Sequence, residues 1–276
     1  MAVVIHRAAS FVRFFLFGRG GGLILRRLGN KAKIAHLITP YFPPHEIYIE
    51  LFAGAGGMFF NKQQVKYNFL NDIDEDIYNL WQVVQFQHSE LVEMMERLPL
   101  HEKLWKDYKK VIPEDKVFRA CLFLMYSNFG HCGKPDSLAI LPANSKEVLL
   151  RNLKTIQDKI KYCTFLCCDF RDVLRKVSHT HGIDTKNRCF IYADPPYLST
   201  SNNYSHSFTE QDTIDLFSVL TQSGIRFAVS EFDNPVIRNL AEAHGLNIHI
   251  IGERKTLGNR QTEILVTNYP HENLFS

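Results

Sequence analysis

The chain has 276 residues, of which 45% are hydrophobic and 22% are charged, and its formal net charge is +3. This composition is that of an ordinary globular protein with one large domain, or one domain with a sizeable insertion. The net charge excludes a strongly basic protein, so nucleic acid would have to bind to a local basic face.

The first 33 residues differ from the rest, because they contain seven basic residues and no acidic residue. The apolar run from Phe11 to Phe17 is too short to cross a membrane, and Arg13 interrupts it. No small-x-small cleavage site follows, so a signal peptide is not favoured. We predict that residues 1–27 are a basic, disordered leader outside the functional domain.

The next elements alternate between strand and helix. Tyr48–Phe52 and Val65–Leu70 are predicted strands, residues 76–160 have helical periodicity, and residues 128–141 are a polar loop between helices. Later strands are predicted at Thr164–Cys168, Arg188–Ala193, Arg226–Ser230, Asn247–Ile251 and Glu263–Thr267. This order predicts an α/β fold with a mostly parallel sheet and an all-helical insertion at 76–160.

The six cysteines form no Cys-x-x-Cys pair, and Cys167 and Cys168 are adjacent on a predicted strand. A zinc site or a disulfide framework needs paired spacing, so neither is predicted. Free thiols in a reducing cytoplasm are expected instead.

The most informative segment is Asp194-Pro195-Pro196-Tyr197, which directly follows the apolar run Cys189–Ala193. It marks the carboxyl end of a buried strand, the edge of an open α/β sheet at which ligands bind. The prolines leave carbonyls available as acceptors, Asp194 adds a carboxylate, and Tyr197 adds an aromatic face. An exocyclic amine on a planar ring requires this combination, although a simple strand-to-turn transition would also fit the segment.

A glycine-rich turn, Phe52-x-Gly54-x-Gly56-Gly57, follows the first strand, and Asp72 ends the second. This pair fits a dinucleotide dehydrogenase about as well as an S-adenosylmethionine enzyme. Asp169, after another strand, is either a helix N-cap or an acceptor for a cofactor's adenine amine. The Asp194 turn favours the methyltransferase, because hydride transfer has no need of it.

Taken together, these segments resemble the Dam-type N6-adenine DNA methyltransferases from about Leu28 to Tyr269. A departure lies at Asn30, where the family usually has a second glycine before Lys31. The matching stretches are Gly29-Asn30-Lys31, Glu50–Gly56, Asn71–Asp74, Cys168–Phe170, Asp194–Tyr197, Tyr204-x-x-x-Phe208-Thr209 and Glu263–Tyr269.

The resemblance implies a Rossmann-like methyltransferase fold with a seven-stranded, mostly parallel sheet in residues 28–75 and 161–276. It implies target recognition by the helical insertion at 76–160, and S-adenosyl-L-methionine as cofactor. The implied cofactor-binding residues are Lys31 near the methionine end, Phe52, Gly54, Gly56, Asp72 at the ribose and Asp169 at the adenine.

The implied catalytic residues are Asp194, Pro195, Pro196 and Tyr197, with Asp194 holding the target amine and Tyr197 stacking on the flipped base. Tyr204 and Phe208 would close over the substrate, and no metal is implied. Asn128 and Lys134, in the polar loop, are candidates for DNA contacts. A basic stretch with interleaved aromatic residues could contact phosphates, although acidic residues dilute it: Arg97, Lys103, Lys106, Lys109, Lys110, Lys116 and Arg119.

The predicted function is site-specific methylation of adenine N6 in duplex DNA. Two alternatives stay open: methylation of another amine (cytosine N4, RNA or a protein glutamine), and a catalytically silent subunit that binds DNA. The predicted partner is double-stranded DNA, with a restriction endonuclease as a further candidate and no membrane. We expect a cytoplasmic, nucleoid-associated monomer, or a dimer on DNA.

Overall fold

The computed structural model describes residues 24–26, 29–130, 138, 145–177, 183–198, 208–255 and 260–271. The strands are β1 (Ile47–Glu50), β2 (Tyr67–Asn71), β3 (Thr164–Leu166), β4 (Cys189–Ala193), β5 (Arg226–Phe232), β6 (Asn247–Lys255) and β7 (Arg260–Thr267). They form one seven-stranded sheet in the order β3-β2-β1-β4-β5-β7-β6, in which β7 runs antiparallel to the other six strands. The predicted α/β fold with a mostly parallel seven-stranded sheet is confirmed.

The central strands are apolar because the sheet is covered on both faces. Every residue of β4 is buried, as expected for a parallel strand between two helical layers. The order of the strands reverses between β1 and β4, which pair with Glu50 opposite Tyr192. A crevice opens at such a switch point, outside the carboxyl ends of the strands. This topology therefore places the segments after β1, β2, β3 and β4 around one cleft.

Helices cover the sheet and fill the segment between β2 and β3. They are α1 (Ala35–Ile38), α2 (Glu75–Phe86), α3 (His88–Arg97), α4 (Glu102–Tyr108), α5 (Lys116–Phe129), α6 (Ser145–Ile160), α7 (Phe170–Lys176), α8 (Ile183–Asn187), α9 (Glu210–Ser223) and α10 (Pro235–Ala243). Helices α2 to α6 match the predicted helical segment 76–160. None of the described helices is long and apolar enough to cross a membrane.

The helical segment shares its core with the sheet. The ring of Trp81, on α2, stacks on Phe165 of β3 with 6.0 Å between the centroids. The Gln85 side chain donates to the carbonyl oxygens of Ile160 and Cys163, where α6 ends and the chain enters β3. Helix α2 therefore packs against the sheet, and helices α3 to α6 extend outward from it.

The predicted leader is wrong at its carboxyl end. Ile24 and Leu25 are 0% and 1% exposed, and the backbone of Arg26 exchanges two hydrogen bonds with the Ser127 hydroxyl. The Asn128 side chain also donates to the Ile24 carbonyl at 2.7 Å. Residues 24–26 thus pack on α5, because burial of the large aliphatic side chains of Ile24 and Leu25 is more favourable than their exposure to water. Residues 1–23 lie outside the described part of the chain.

Candidate active site in the cleft at the sheet edge

One cleft lies at the carboxyl edge of the parallel strands, and most of the predicted site residues line it. Five of the predicted cofactor residues, two of the catalytic turn and one predicted substrate contact are among the lining residues: Lys31, Phe52, Gly54, Asp72, Asp169, Asp194, Pro196 and Phe208. Other lining residues include Asn30, Glu50, Gly57, Asn71, Asp74, Phe170 and Asp212. Pro195, which lies between Asp194 and Pro196 in the sequence, is buried and does not line the cleft. The cleft therefore brings the predicted cofactor residues Asp72 and Asp169, at what we call its cofactor end, together with the predicted catalytic residue Asp194, at what we call its catalytic end.

The loop after β1 is held in place by Asp72. Gly54 has a φ of +50°, which favours glycine, and its amide donates to Asp72 Oδ2 at 2.8 Å. Asp72 Oδ1 accepts from the Asp74 amide at 3.0 Å. From the other side, Trp81 Nε1 donates to the Gly54 carbonyl. Asp72 therefore positions the loop backbone while it lines the cleft.

Gly56 does not line the cleft, contrary to its prediction as a cofactor contact. Its φ is +71°, and a Cβ built on it would come within 2.4 Å of the Phe60 ring. Gly56 is required for close packing beneath the loop. Gly57, in contrast, lines the cleft as Gly54 does, and a Cβ on Gly57 would come within 2.1 Å of Asn30 Oδ1. The absence of a side chain at Gly57 therefore leaves room for the turn that contains Lys31.

The turn at Lys31 is also stabilised by the side chain of Asn30. Asn30, which stands where the family usually has glycine, caps the short 3₁₀ turn Lys31–Lys33 by accepting from the Ala32 amide at 2.9 Å. Lys31 itself is only 3% exposed. The family departure at this position therefore leaves a formed turn, with the ammonium of Lys31 in the cleft.

The cofactor end combines carboxylates with aromatic rings. Asp169 caps α7 by accepting from the Arg171 amide, so it serves as the N-cap that the sequence offered as one of two roles. Its carboxylate also binds the Arg171 guanidinium, which reaches Asp212 at 2.6 Å. Beside this pair, the ring centroids of Phe52, Phe170 and Phe208 lie within 6.0 Å of one another.

At the catalytic end, the Lys31 ammonium donates to Asp194 Oδ1 at 2.6 Å. The side chains are 3% and 19% exposed, respectively. Burial raises the pKa of the Asp194 carboxyl, and the charge of Lys31 opposes that increase. Lys31 was predicted near the methionine end of the cofactor. The structure brings it to the cleft and adds a contact with Asp194 that the sequence did not indicate.

Tyr197 faces inward from the catalytic turn. Its hydroxyl donates to Glu263 Oε1 at 2.5 Å, and its ring packs edge-on against Phe232. The ammonium of Lys31 lies 4.4 Å from the ring centroid. The residue is 8% exposed, so stacking on a base would require one face of the ring to be uncovered. Stacking by Tyr197 stays a prediction.

A buried Glu50 ends β1 beneath the cleft. Its carboxyl accepts from the Tyr48 hydroxyl at 2.8 Å. Burial raises the pKa of Glu50 to about 8, against the opposing effects of this hydrogen bond and of Lys62. Burial lowers the pKa of Lys62 to about 8 as well. At neutral pH the Glu50 carboxyl is therefore mostly protonated.

Of the two DNA-binding residues predicted in the polar loop, only Asn128 lies in the described part of the chain, and it does not line the cleft. Asn128 lies within α5, and its side chain donates to the carbonyls of Ile24 and Leu124. Its amide therefore holds two segments of backbone together, and its role as a DNA contact stays a prediction. Lys134 and Tyr204 lie outside the described residues.

Several residues of the predicted phosphate-binding stretch form ion pairs on the surface. Lys106 binds Glu102 at 2.7 Å and Arg97 binds Glu93 at 2.6 Å, each one helical turn apart. Arg119 instead reaches back to Asp76 on α2. Exposed pairs of this kind are worth little to stability, so they remain available for exchange with phosphates. Their role in DNA binding stays a prediction.

Sequence reasoning missed Glu263 and Arg254. Glu263 Oε2 accepts from Arg254 Nη1 at 3.1 Å, and the glutamate is 1% exposed. Glu263 belongs to one of the stretches that match the family, and its position as a charged residue at the start of an apolar run was the signal. The β6–β7 pairing brings the two residues together, and periodicity does not reveal that pairing.

Residues 28–116 and 137–257 match the family model for D12 class N6 adenine-specific DNA methyltransferases. The chain belongs to this family. It is similar to the DNA adenine methylase of Vibrio cholerae serotype O1, with 23% identity over 90% of this chain and 96% of that protein. It is also similar to the DNA adenine methylase of Escherichia coli K12, with 22% identity over 84% and 88%.

A third relative is modification methylase StsI of Streptococcus sanguinis, with 23% identity over 89% of this chain and 42% of that protein. A solved structure of a methyltransferase from Streptococcus mutans, in complex with SAH, has a TM-score of 0.40 and 8% identity over 84% of this chain and 94% of that chain. At this TM-score the similarity supports no conclusion about function. The family match confirms the predicted enzyme, an adenine-specific DNA methyltransferase.

Proposed function

We propose that this adenine-specific DNA methyltransferase binds S-adenosylmethionine along the cleft and presents the target adenine to Asp194. The observation that carries the proposal is the position of the Asp194–Lys31 pair in the same cleft as Asp72 and Asp169. One end has acceptors and aromatic rings suited to a nucleoside, and the other has the carboxylate of the catalytic turn. A methyl donor and an amine could therefore meet between them.

The residues of the cleft suit this cofactor. Besides the mostly protonated Glu50, five carboxyl groups line it (those of Asp72, Asp74, Asp169, Asp194 and Asp212), and Lys31 is the only lysine or arginine among the described lining residues. A surplus of negative charge favours a cationic sulfonium. Phe52, Phe170 and Phe208 would hold the adenine ring, Asp169 its amine, and Asp72 the ribose hydroxyls. When bound, the cofactor supplies a methyl group on a sulfonium leaving group.

The chemistry of the chain itself is one of positioning. The N6 nitrogen of adenine is a poor nucleophile, because its lone pair is delocalised into the ring. The Asp194 carboxylate accepts an amine hydrogen and favours a more tetrahedral nitrogen. Pro195, whose carbonyl is the predicted acceptor for the second hydrogen, does not line the cleft in this structure. Lys31 fixes one oxygen of Asp194, so the carboxylate has a defined orientation before substrate binds.

The target adenine must be flipped out of the DNA helix, because its amine cannot reach Asp194 inside a duplex. We place target recognition in helices α3 to α6 and the polar loop. The family match skips residues 117–136, which supports a segment that differs between family members. The exposed basic residues in and after α4, including Lys106 and Lys110, would contact phosphates and position the duplex.

The test is methyl transfer from labelled S-adenosylmethionine with purified protein. Duplex DNA, RNA and a glutamine-containing peptide are offered separately, and the products of each reaction are identified by mass spectrometry. We expect N6-methyladenine from duplex DNA alone. Label in N4-methylcytosine, RNA or the peptide would contradict the proposed substrate, and cofactor binding without transfer to any of them would indicate a silent subunit.

We also propose a cognate restriction endonuclease as partner. The name of the similar protein from Streptococcus sanguinis, a modification methylase, supports this. The corresponding test maps methylated sites by modified-base sequencing and asks whether an extract of the source cells cuts the same sites when unmethylated. Light scattering with and without duplex decides whether the enzyme acts as a monomer or as a dimer on DNA. Imaging decides whether it lies in the nucleoid.

A further inference from the structure

A buried carboxylate lies behind the catalytic turn and contacts three separate segments of the chain. Glu263, on β7, is 1% exposed. Its Oε1 accepts from the Tyr197 hydroxyl and lies 3.6 Å from the Lys31 ammonium, and its Oε2 accepts from Arg254. The Glu263 side chain thus connects the turn at Lys31, the catalytic turn and β6.

We propose that Glu263 is a positioning residue for methyl transfer, which orients Lys31 and Tyr197 so that Asp194 is held ready for the target amine. The inference rests on the proposed placement of that amine at Asp194. Glu263 is not among the described lining residues of the cleft, so it acts through its neighbours rather than on the substrate.

The first step of the argument concerns Lys31. Its ammonium lies 2.6 Å from Asp194 and 3.6 Å from Glu263, so one cation lies between two carboxylates. Without Glu263, the buried ammonium would have Asp194 as its only carboxylate partner in the described part of the chain. It would then turn fully toward Asp194 and compete with the target amine for the same oxygens.

The second step concerns the turn itself. The Tyr197 hydroxyl is the polar end of a buried side chain, and a buried hydroxyl needs a partner. Glu263 provides it, and Arg254 compensates the charge of Glu263 on the other side at 3.1 Å. Since Tyr197 is three residues from Asp194, this anchor fixes the end of the catalytic turn to β7 of the sheet.

The charges around Asp194 also give the sign of a pH effect. The charged and titratable groups that face this cluster include Lys31, Arg254, Glu263, Tyr192, Tyr197, Glu231 and, on β1, Tyr48 and Glu50. The negative charge of Glu263 raises the pKa of Asp194, whereas Lys31 and Arg254 lower it. Removing the charge of Glu263 should therefore lower the pKa of Asp194 and move the acidic limb of the rate profile to lower pH.

The experiment compares Glu263→Gln with Glu231→Gln in the full chain. Glu231 is a matched control: it is also 1% exposed, but its Oε1 accepts from the Phe232 amide, and burial raises its pKa to about 8. Its replacement by glutamine therefore changes little charge below that pH. Single-turnover methylation is measured from about pH 5 to pH 7.5 with saturating cofactor and duplex, beside thermal unfolding.

We expect Glu263→Gln to slow single turnover on the order of tenfold, the scale of one lost hydrogen bond to a charged group, and to move the acidic limb to lower pH. Tyr197→Phe should slow turnover with less displacement of the limb, and Glu231→Gln should do neither. A Glu263→Gln enzyme that melts earlier but keeps the wild-type rate and limb would overturn the inference. So would equal effects of the two glutamines. Failure of the proposed function would appear separately, as no adenine methylation by the wild type.

Discussion

The two ends of the cleft use similar ion pairs in different surroundings. At the catalytic end, Lys31 and Glu263 are 3% and 1% exposed. At the cofactor end, Arg171 binds Asp169, Asp212 and Asp215 with side chains that are between 23% and 39% exposed. Water screens the second set and hardly reaches the first. We therefore expect substitutions in the buried cluster at the catalytic end to have larger effects than substitutions in the exposed ion pairs of Arg171.

This difference fits the role that we propose for each end. A positioned acceptor works best where water cannot compete for the target amine, since electrostatic effects grow as the surroundings become less polar. A cofactor must enter and leave at every turnover, so its contacts are better placed where solvent can replace them. Substitutions should separate the two ends, with the largest effect at the catalytic carboxylate and the smallest at exposed or neutral groups.

Asp194→Ala should slow methylation by about 100-fold to 1,000-fold, the cost of losing one preorganised group at the reacting centre. Affinity for S-adenosylmethionine should change little, because Asp72 and Asp169 lie at the other end of the cleft. Single-turnover rates at saturating cofactor measure the effect. A rate near that of the wild type would remove Asp194 from the mechanism.

Lys31→Met should destabilise the protein by about 3 kcal/mol, because it leaves two carboxylates of a buried cluster without their shared cation. Chemical denaturation measures the loss. The double variant Lys31→Met with Asp194→Ala should recover part of it, since the second change removes one uncompensated charge. Strict additivity of the two losses would show that the 2.6 Å contact contributes nothing specific.

Asp72→Ala should weaken cofactor binding by about tenfold to 100-fold, the range for lost hydrogen bonds to a charged acceptor. The loop would also lose the acceptor for the Gly54 amide. Asp72→Asn, which keeps one carbonyl oxygen, should lie between the alanine variant and the wild type in calorimetry. Unchanged affinity in the alanine variant would place the ribose elsewhere.

Arg171→Gln should raise the Kd for the cofactor only about twofold to fivefold, because solvent-accessible ion pairs contribute about 1 kcal/mol or less. The rate at saturating cofactor should not change. Raising the salt concentration should reduce the difference between variant and wild type further. A loss as large as that from Asp72→Ala would mean that Arg171 contacts the cofactor directly.

Glu50→Gln should change the pH dependence of stability. The pKa of Glu50 is raised to about 8 in the folded protein, so the unfolded chain gives up this proton at lower pH. Stability from this group is greatest below the unfolded pKa and is lost as pH rises toward 8. The variant should therefore gain in melting temperature relative to the wild type between about pH 5 and pH 8. A constant difference across that range would contradict the burial of an ionisable Glu50.

The sequence predicted the sheet well, because its central strands are apolar runs bounded by turn residues. Cys189–Ala193 is fully buried, and the prolines after Asp194 end the strand where expected. The cleft followed from the rule that ligands bind at the carboxyl edge of such a sheet. Gly54, Asp72 and Asp194 were found in this way.

Other features depend on contacts between distant residues, which local patterns do not contain. Lys31 lies 163 residues from its partner Asp194, and Glu263 is 66 residues from Tyr197. Asn128 was misassigned to the polar loop because a polar residue near glycine and proline resembles a loop. The helix continues through it, and its amide binds the backbone of Ile24.

The division of the cleft is tested most directly by one paired measurement on the wild type, Asp194→Ala and Asp72→Ala. Calorimetry gives the affinity for S-adenosylmethionine, and single turnover at saturating cofactor gives the rate of N6-methyladenine formation in duplex DNA. We predict that Asp194→Ala binds the cofactor as the wild type does but barely methylates, whereas Asp72→Ala binds weakly and methylates at nearly the wild-type rate once saturated. Parallel losses of affinity and rate in both variants would contradict a cleft with separate cofactor and catalytic ends.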